Sequence, residues 1–362
     1  MNRRSLIKGA AVVPAVAAAT ALAAPAISQG MMKLRMTTSW PKGFPGLGTA
    51  AQAMADNVTA LTDGRISVEV FGAGEIAPGL KAFDAVSDGT ADMYHSADYY
   101  YLGKSPALAF FTAVPFGMTA SELDTWLYND GGQALWDEVS GGFGVKPFVC
   151  GNSGVQAGGW FNKEINSADD LKGLNIRMPG LGGEALRRIG ANAVTLSGGE
   201  IGPALQAGTI DATEWVGPWN DYAFGLQKLA KIYYTSGFHE PGSGLSCGVN
   251  KGVYDKLSDS DKAVFAIAAQ AANAVNYTTF LANNGEFLQR LQSEGTDIRE
   301  FGDDVWDAFG KASDEVMQEN AEKDPMFKKV HDSFTASRAK TAGWVANSEG
   351  QYLRQRNRVI GL

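Results

Sequence analysis

Arg177 stands at the end of the string Leu174-Asn-Ile-Arg-Met178, directly before Pro179-Gly180. An arginine at a strand terminus facing a crevice can hold a carboxylate through two parallel hydrogen bonds. On spacing alone, a surface ion pair is the commoner fate. Glu214 and Trp215, in Ala212-Thr-Glu-Trp-Val-Gly-Pro-Trp219, fall at a second predicted strand end. A carboxylate beside an indole suits an amphipathic pocket wall or a hard-cation ligand, although a core Trp with a solvated Glu is the more frequent outcome. Tyr99, Tyr100 and Tyr101 follow the segment Asp92 to Ser96. Three consecutive side chains cannot all face one way, so one or two hydroxyls are available to a ligand and the rest pack between lobes. Asn152 and Gln156 are neutral donors and acceptors in the Gly-rich stretch 151–160, which otherwise reads as a loop.

Catalytic signatures are missing. The chain has no Walker A string and no His-Glu-x-x-His. Ser153 has no base near it in sequence, and His95, His239 and His331 are scattered. A triad assembles in space, so this argues against one without excluding it. A zinc site would want more Cys or His in tight spacing.

The elements that must position these residues alternate. Strand patterns at 34–40, 66–71 and 91–96 are separated by helical patterns at 48–61 and 80–87, which is the order of a parallel α/β sheet. A second cycle runs through strands at 145–150, 158–162, 174–178 and 193–195, helices at 183–189 and 199–207, and an extended piece at 210–215. Val86-Ser-Asp-Gly-Thr-Ala-Asp92 echoes Leu205-Gln-Ala-Gly-Thr-Ile-Asp211. Each reads as a helix end, a left-handed Gly cap and a strand that starts with Asp. The echo predicts two lobes of similar build, with a ligand crevice at the carboxyl ends of their strands. The last third is helical. The cluster Ser258-Asp-Ser-Asp261 caps an apolar periodic run to Gly295. That run is long enough to wrap both lobes, to form a dimer interface or to break near Asn283-Asn284-Gly285.

Arg3, Arg4 and Lys8, an apolar run from Ala10 to Ala24 and small residues at 24–28 form the layout of a removable export signal. The paired arginines look like the twin-arginine type. The first 28 residues carry three basic side chains and no acid, so the remainder has 28 basic against 39 acidic residues. An acidic body is a poor nucleic-acid or anionic-lipid binder. An anionic ligand would therefore be drawn by a local cation. Cys150 and Cys247 fit either a disulfide or two buried thiols.

Together these strings resemble the solute-binding subunit of tripartite ATP-independent periplasmic (TRAP) transporters over nearly the whole chain. Asp170-Leu-Lys-Gly-Leu-Asn-Ile-Arg177 and Gly208-Thr-Ile-Asp211 carry the general likeness. Tyr99-Tyr-Tyr101, Gly151 to Trp160 and Thr213-Glu-Trp-Val-Gly-Pro218 point to the branch that binds 2-oxo monocarboxylates such as pyruvate. The resemblance implies that Arg177 pairs with the ligand carboxylate while Tyr100, Tyr101 and Asn152 hydrogen-bond the ligand. It also implies a metal ion between protein and ligand, held by Gln156, Glu214, the Trp215 carbonyl and Glu240. All-oxygen ligation fits Na⁺ or Ca²⁺ rather than zinc. Phe238-His239 and the following Pro-Gly-Ser-Gly depart from the more aromatic pattern of pyruvate-type members.

The fold expected is a two-lobe, type II-like periplasmic solute-binding protein of the α/β class, with mixed parallel sheets, a hinge and long C-terminal helices. Residues 1–28 would be the signal, 31–150 mainly the first lobe, 151–250 mainly the second, and 251–362 a helical region that wraps the lobes and dimerises. The function expected is capture of a 2-oxo or 2-hydroxy monocarboxylate and delivery to a TRAP membrane permease. The alternatives are a secreted metal-assisted enzyme, with Glu240 or His239 as its base, and a sensor that presents its liganded form to a receptor.

Overall fold

A computed structural model describes residues 31–361 of the chain. The expected export signal lies outside the described residues. In chain order the strands are β1 (Met32–Thr38), β2 (Ile66–Phe71), β3 (Met93–Ser96), β4 (Val145–Asn152), β5 (Gly159–Phe161), β6 (Asn175–Arg177), β7 (Asn192–Val194), β8 (Ala212–Thr213), β9 (Ile232–Tyr234), β10 (Gly244–Asn250) and β11 (Asp297–Arg299). They form two mixed sheets, ordered β2-β1-β3-β10-β4 and β11-β9-β5-β8-β6-β7. In the first, β1 is parallel to β2 and β3, and β10 is antiparallel to β3 and β4. In the second, β6 is parallel to β7 and β8, and β5 is antiparallel to β8 and β9. β10 returns to the first sheet, so that lobe is built from two separate stretches of chain.

The sequence echo has a structural counterpart. Gly89 and Gly208 both adopt left-handed backbone, at φ 83° and 67°, a conformation glycine enters without steric cost. Asp92 then donates its N–H to the Arg35 carbonyl at 3.0 Å and accepts the Arg35 N–H on Oδ2 at 2.8 Å. Asp211 does the same with Asn175, at 2.7 Å and 3.2 Å. β1 and β6 are therefore equivalent central strands, each clamped by an aspartate from the strand beside it.

The helix Asp259–Ser293 starts where expected, with Ser258 Oγ accepting the Asp261 N–H at 3.1 Å. It runs unbroken through Asn283-Asn284-Gly285. Asn283 bonds back to the Thr279 carbonyl one turn earlier, and Asn284 accepts the Trp219 N–H and so ties the helix to its neighbour instead of ending it. Phe265, Ala268, Ala269, Ala272, Asn273, Asn276 and Phe280 form its buried stripe, the i, i+3, i+4 spacing of one helix face. That stripe lies on β4 and on the helix Leu47–Leu61. Farther on, Asp303–Lys323 packs against Gly180–Ile189, and Pro325–Val345 covers the segment Pro106–Phe111 through Phe327 and Phe334. Cys150 and Cys247 are buried free thiols on adjacent strands. No helix among the described residues is long and apolar enough to cross a membrane.

Candidate functional site

Two chain crossings between the sheets run side by side. The first leaves β4 at Asn152 and reaches β5; the second leaves β9 and reaches β10. Ser153 N–H donates to Ser243 O at 3.1 Å, Gln156 N–H to Glu240 O at 3.0 Å, and Gly237 N–H to Gln156 O at 2.7 Å. These bonds hold Gln156 and Glu240 together. A third segment joins them, because Ala157 N–H donates to Val216 O at 3.0 Å, just past Glu214. Asn276 on the long helix fixes the first crossing, accepting the Asn152 N–H at 3.1 Å and donating to Gly46 O at 2.8 Å.

Arg177 ends β6 with no solvent exposure. Its Nε donates to Leu196 O and its Nη1 to the Glu214 carbonyl, both at 3.2 Å. Nη1 also pairs closely with Glu214 Oε1, and Nη2 donates to the Tyr100 hydroxyl at 3.2 Å. The Trp215 ring lies 5.1 Å from the guanidinium carbon. Burial works against the charge of Arg177, but Glu214, with Tyr100, Tyr99 and Glu240, outweighs it and holds the guanidinium protonated. The surface ion pair that spacing favoured is thus replaced by a dry one.

The second acid is Glu240. Burial, together with the nearby Glu214 charge, pushes its carboxyl up to about 7, against the pull of His239, Ser243 and Arg177. Several buried polar atoms here have no hydrogen-bond partner: Asn152 Nδ2, Gln156 Oε1, Glu214 Oε2, Glu240 Oε2, Trp215 Nε1 and both His239 ring nitrogens. Native interiors satisfy most buried polar atoms, so this concentration points to a ligand or ion. One ligand atom each of Glu214, His239 and Glu240 lie within 4.8 Å of one another. Carboxylate and amide oxygens that lack donors are the set a cation would satisfy, so the residues present fit one.

The structure brings Arg177, Tyr100, Gln156, Glu214, Trp215 and Glu240 into one neighbourhood, with Asn152 at its edge. Tyr101 does not join them. Its hydroxyl donates to Ser96 Oγ at 2.7 Å and accepts the Phe83 N–H at 3.3 Å, and its ring packs on Phe83 and Tyr94. The short 3₁₀ turn Asp98–Tyr101 rotates successive tyrosines, which sends Tyr101 into the first lobe's core. Tyr99 faces the site in its place, edge-on to Tyr100 at 4.7 Å and within electrostatic reach of Glu240, Glu214 and Arg177. The sequence offered no means of choosing among the three. His239 also lies in this cluster. Its only signal was its place beside Glu240, and there it read as a possible base. Outside this cluster a cleft of about 610 Å³ runs between Ser39, Pro41, Gly79 and Lys81 on one side and Ser197 and Glu200 on the other.

A pair of mixed sheets joined by paired crossings, with a buried cation-and-carboxylate cluster at their strand ends, is the build of a two-lobed solute-binding protein. The chain belongs to the bacterial extracellular solute-binding protein family 7, whose model matches residues 36–324. A monocarboxylate 2-oxoacid-binding periplasmic protein of Nostoc sp. is 42% identical, covering 97% of this chain and 98% of that relative. A TRAP transporter solute-binding protein of Bordetella bronchiseptica superposes with a TM-score of 0.90 at 34% identity, over 91% of this chain and 98% of the other. It is a mixed-occupancy dimer with calcium and picolinate in its active site. A TRAP periplasmic solute-binding protein of Pseudoalteromonas atlantica, with bound sodium and pyruvate, gives 0.87 at 38% identity, over 90% and 99% of the two chains. This chain is accordingly a TRAP-type solute-binding protein.

Proposed function

We propose that this protein captures a 2-oxo or 2-hydroxy monocarboxylate together with Na⁺ or Ca²⁺ in the periplasm and delivers it to a TRAP membrane permease. The observation that carries the reading is the buried Arg177 beside the unpartnered oxygens of Gln156, Glu214 and Glu240. Arg177 is oriented by Leu196, Glu214 and Tyr100, and its role is to take the ligand carboxylate. Tyr100, Tyr99 and Asn152 offer hydrogen bonds to the rest of the ligand. Gln156, Glu214, Glu240 and the Trp215 carbonyl would hold the cation. When bound, that ion supplies the positive charge that lets two carboxylates share a dry site with an anion. The pyruvate and sodium of the Pseudoalteromonas protein, and the calcium and picolinate of the Bordetella protein, favour this ligand class.

The same reading makes the chain a transport component with no turnover. It is exported by its twin-arginine-like signal, residues 31–150 lie mainly in the first lobe, which β10 rejoins, and 151–250 mainly in the second, and its helical region from 251 forms a homodimer. Exposed Ile267, Val275 and Leu281 on the long helix, and Trp344 and Tyr352 beyond it, favour that pairing. The test is a thermal-shift screen of pyruvate, longer 2-oxo acids and lactate with Na⁺ or Ca²⁺ present. Binding raises the melting temperature by mass action. If no small organic anion raises it, the carboxylate reading fails. One observation favours an enzyme instead: His239 Nε2 lies 3.5 Å from Glu214 Oε2, a base beside a cation site. Recovery of the bound acid chemically unchanged after prolonged incubation rules that reading out.

A further inference from the structure

Asp221 is a fully buried carboxylate that the ligand reading leaves unused. Its three hydrogen-bond donors are all neutral. Oδ1 accepts the Val216 N–H at 3.1 Å and the Gly217 N–H at 3.0 Å, and Oδ2 accepts from Trp160 Nε1 at 3.0 Å. Burial pushes the carboxyl up to about 7, against the pull of those donors and with the Glu214 charge adding to the push. An acid with no cation among its partners is costly in a dry interior. Part of the reason for its place is local. Asp221 lies in the first turn of the helix Pro218–Ala223, which follows Gly217 and so has no capping side chain. The carboxylate folds back to take the donors ahead of the helix, and Asn284 Oδ1 takes the Trp219 N–H at 3.1 Å.

The larger consequence falls on the residues before the helix. A peptide unit is planar and trans, so its N–H and C=O point in opposite directions. Holding the Val216 N–H therefore aims the Trp215 carbonyl away from Asp221. Among the described residues no donor reaches that carbonyl. Upstream, Thr213 pairs with Trp160 and Arg177, and Glu214 N–H donates to Arg177 O at 3.2 Å. Downstream, Ala157 N–H holds Val216 O at 3.0 Å. Glu214 and Trp215 thus span two fixed ends, with the peptide plane between Trp215 and Val216 set by the carboxylate. A negative acceptor on the N–H also polarises the peptide and enriches its oxygen in electron density. Outer groups commonly orient metal ligands and raise their basicity in this way. We propose that Asp221 is a positioning residue for the cation site, aiming and polarising the Trp215 carbonyl through the Val216 N–H. The inference rests on the cation reading above, keeps Na⁺ or Ca²⁺ as the ion and adds the residue behind one of its ligands.

The test titrates Ca²⁺ alone into the chelator-treated chain by calorimetry, and then pyruvate in its presence. Asp221→Ala should weaken Ca²⁺ binding by about tenfold or more. Asp221→Ser, too short to reach the two N–H groups, should do the same and covers the case in which the Ala variant fails to fold. Asp221→Asn keeps an amide oxygen for both N–H groups and should recover affinity to within about threefold of the wild type. Trp160→Phe removes the third donor but leaves the hold on Val216, so it should lower the melting temperature with Ca²⁺ affinity within about twofold. A purely structural Asp221 gives another pattern, in which affinity follows melting temperature across all four variants. That pattern, or Ca²⁺ affinity of a folded Ala or Ser variant within about twofold of the wild type, overturns the proposal. Amide hydrogen exchange of the metal-free chain reads the hold without any ligand. Val216 and Gly217 should exchange about tenfold faster or more in Asp221→Ala, with β6 unchanged, and unchanged rates at those two amides also overturn the proposal. A wild type that binds neither Ca²⁺ nor pyruvate removes the ligand reading, whereas a wild type that binds both, with the variants unchanged, removes Asp221 alone.

Discussion

Two regions of the molecule bury carboxylates and histidines, and they treat them differently. In the first lobe's core, Asp98 accepts from the Tyr94 hydroxyl at 2.9 Å, the Ser246 hydroxyl at 2.5 Å and Trp136 Nε1 at 2.8 Å. His95, in the neighbouring strand, accepts from Trp40 Nε1 at 2.9 Å and lies 3.5 Å from the Cys150 carbonyl. Between the sheets, Glu214 and Glu240 each keep an oxygen with no partner, and His239 keeps two nitrogens. Both regions are equally dry, so burial does not separate them. The separating feature is completeness: where the protein supplies every partner the polar group serves the fold, and where it withholds them the group waits for something else.

The comparison breaks most readily at its structural side. Asp98→Ala strands three donors in the core and should cost about 3–5 kcal/mol of stability in chemical denaturation, while organic-acid affinity of the folded protein stays unchanged. A selective loss of affinity would merge the two regions. On the other side, Arg177→Ala should weaken carboxylate binding by about 2–5 kcal/mol, with the cooperative unfolding transition retained. Calorimetric affinity unchanged from the wild type would remove Arg177 from the site.

The histidines sharpen the contrast through pH. Burial lowers the His95 pKa from its ordinary 6.5 to about 4, opposed only by the Cys150 carbonyl. The unfolded chain therefore takes the proton first as pH falls. Stability contributed by His95 is complete above about 6.5 and is lost on acidification through about 4, amounting to roughly 3 kcal/mol. His95→Gln should flatten the melting-temperature profile across that window, and an unchanged slope would assign the acid lability elsewhere. The smallest effects come from the adjacent tyrosines. Tyr101→Phe should cost about 1 kcal/mol of stability and no affinity, and Tyr100→Phe about 1 kcal/mol of affinity and little stability. The reverse pattern would exchange their roles.

Local patterns in the sequence were sufficient wherever neighbours along the chain determine the outcome. Alternation located β2 at Ile66–Phe71, the Ser258 cap located the start of the long helix, and the Gly-Thr-x-Asp echo located the clamps at Asp92 and Asp211. The strings around Arg177, Gln156, Glu214 and Glu240 suggested a ligand set only through their resemblance to TRAP solute-binding proteins, since residue type and spacing alone favoured structural roles. Short strands such as β9 and β11 were not legible, since three residues carry too little periodicity to register. Nor was the division of labour among Tyr99, Tyr100 and Tyr101, or between His95 and His239. Those choices depend on which way a turn rotates its side chains and on which partners arrive from other segments of the chain. The amino-acid order thus determined the lobes, the clamps and the kinds of donor available. Only the tertiary structure decided which donors are satisfied and which are left facing the site, because that is a matter of distances in space.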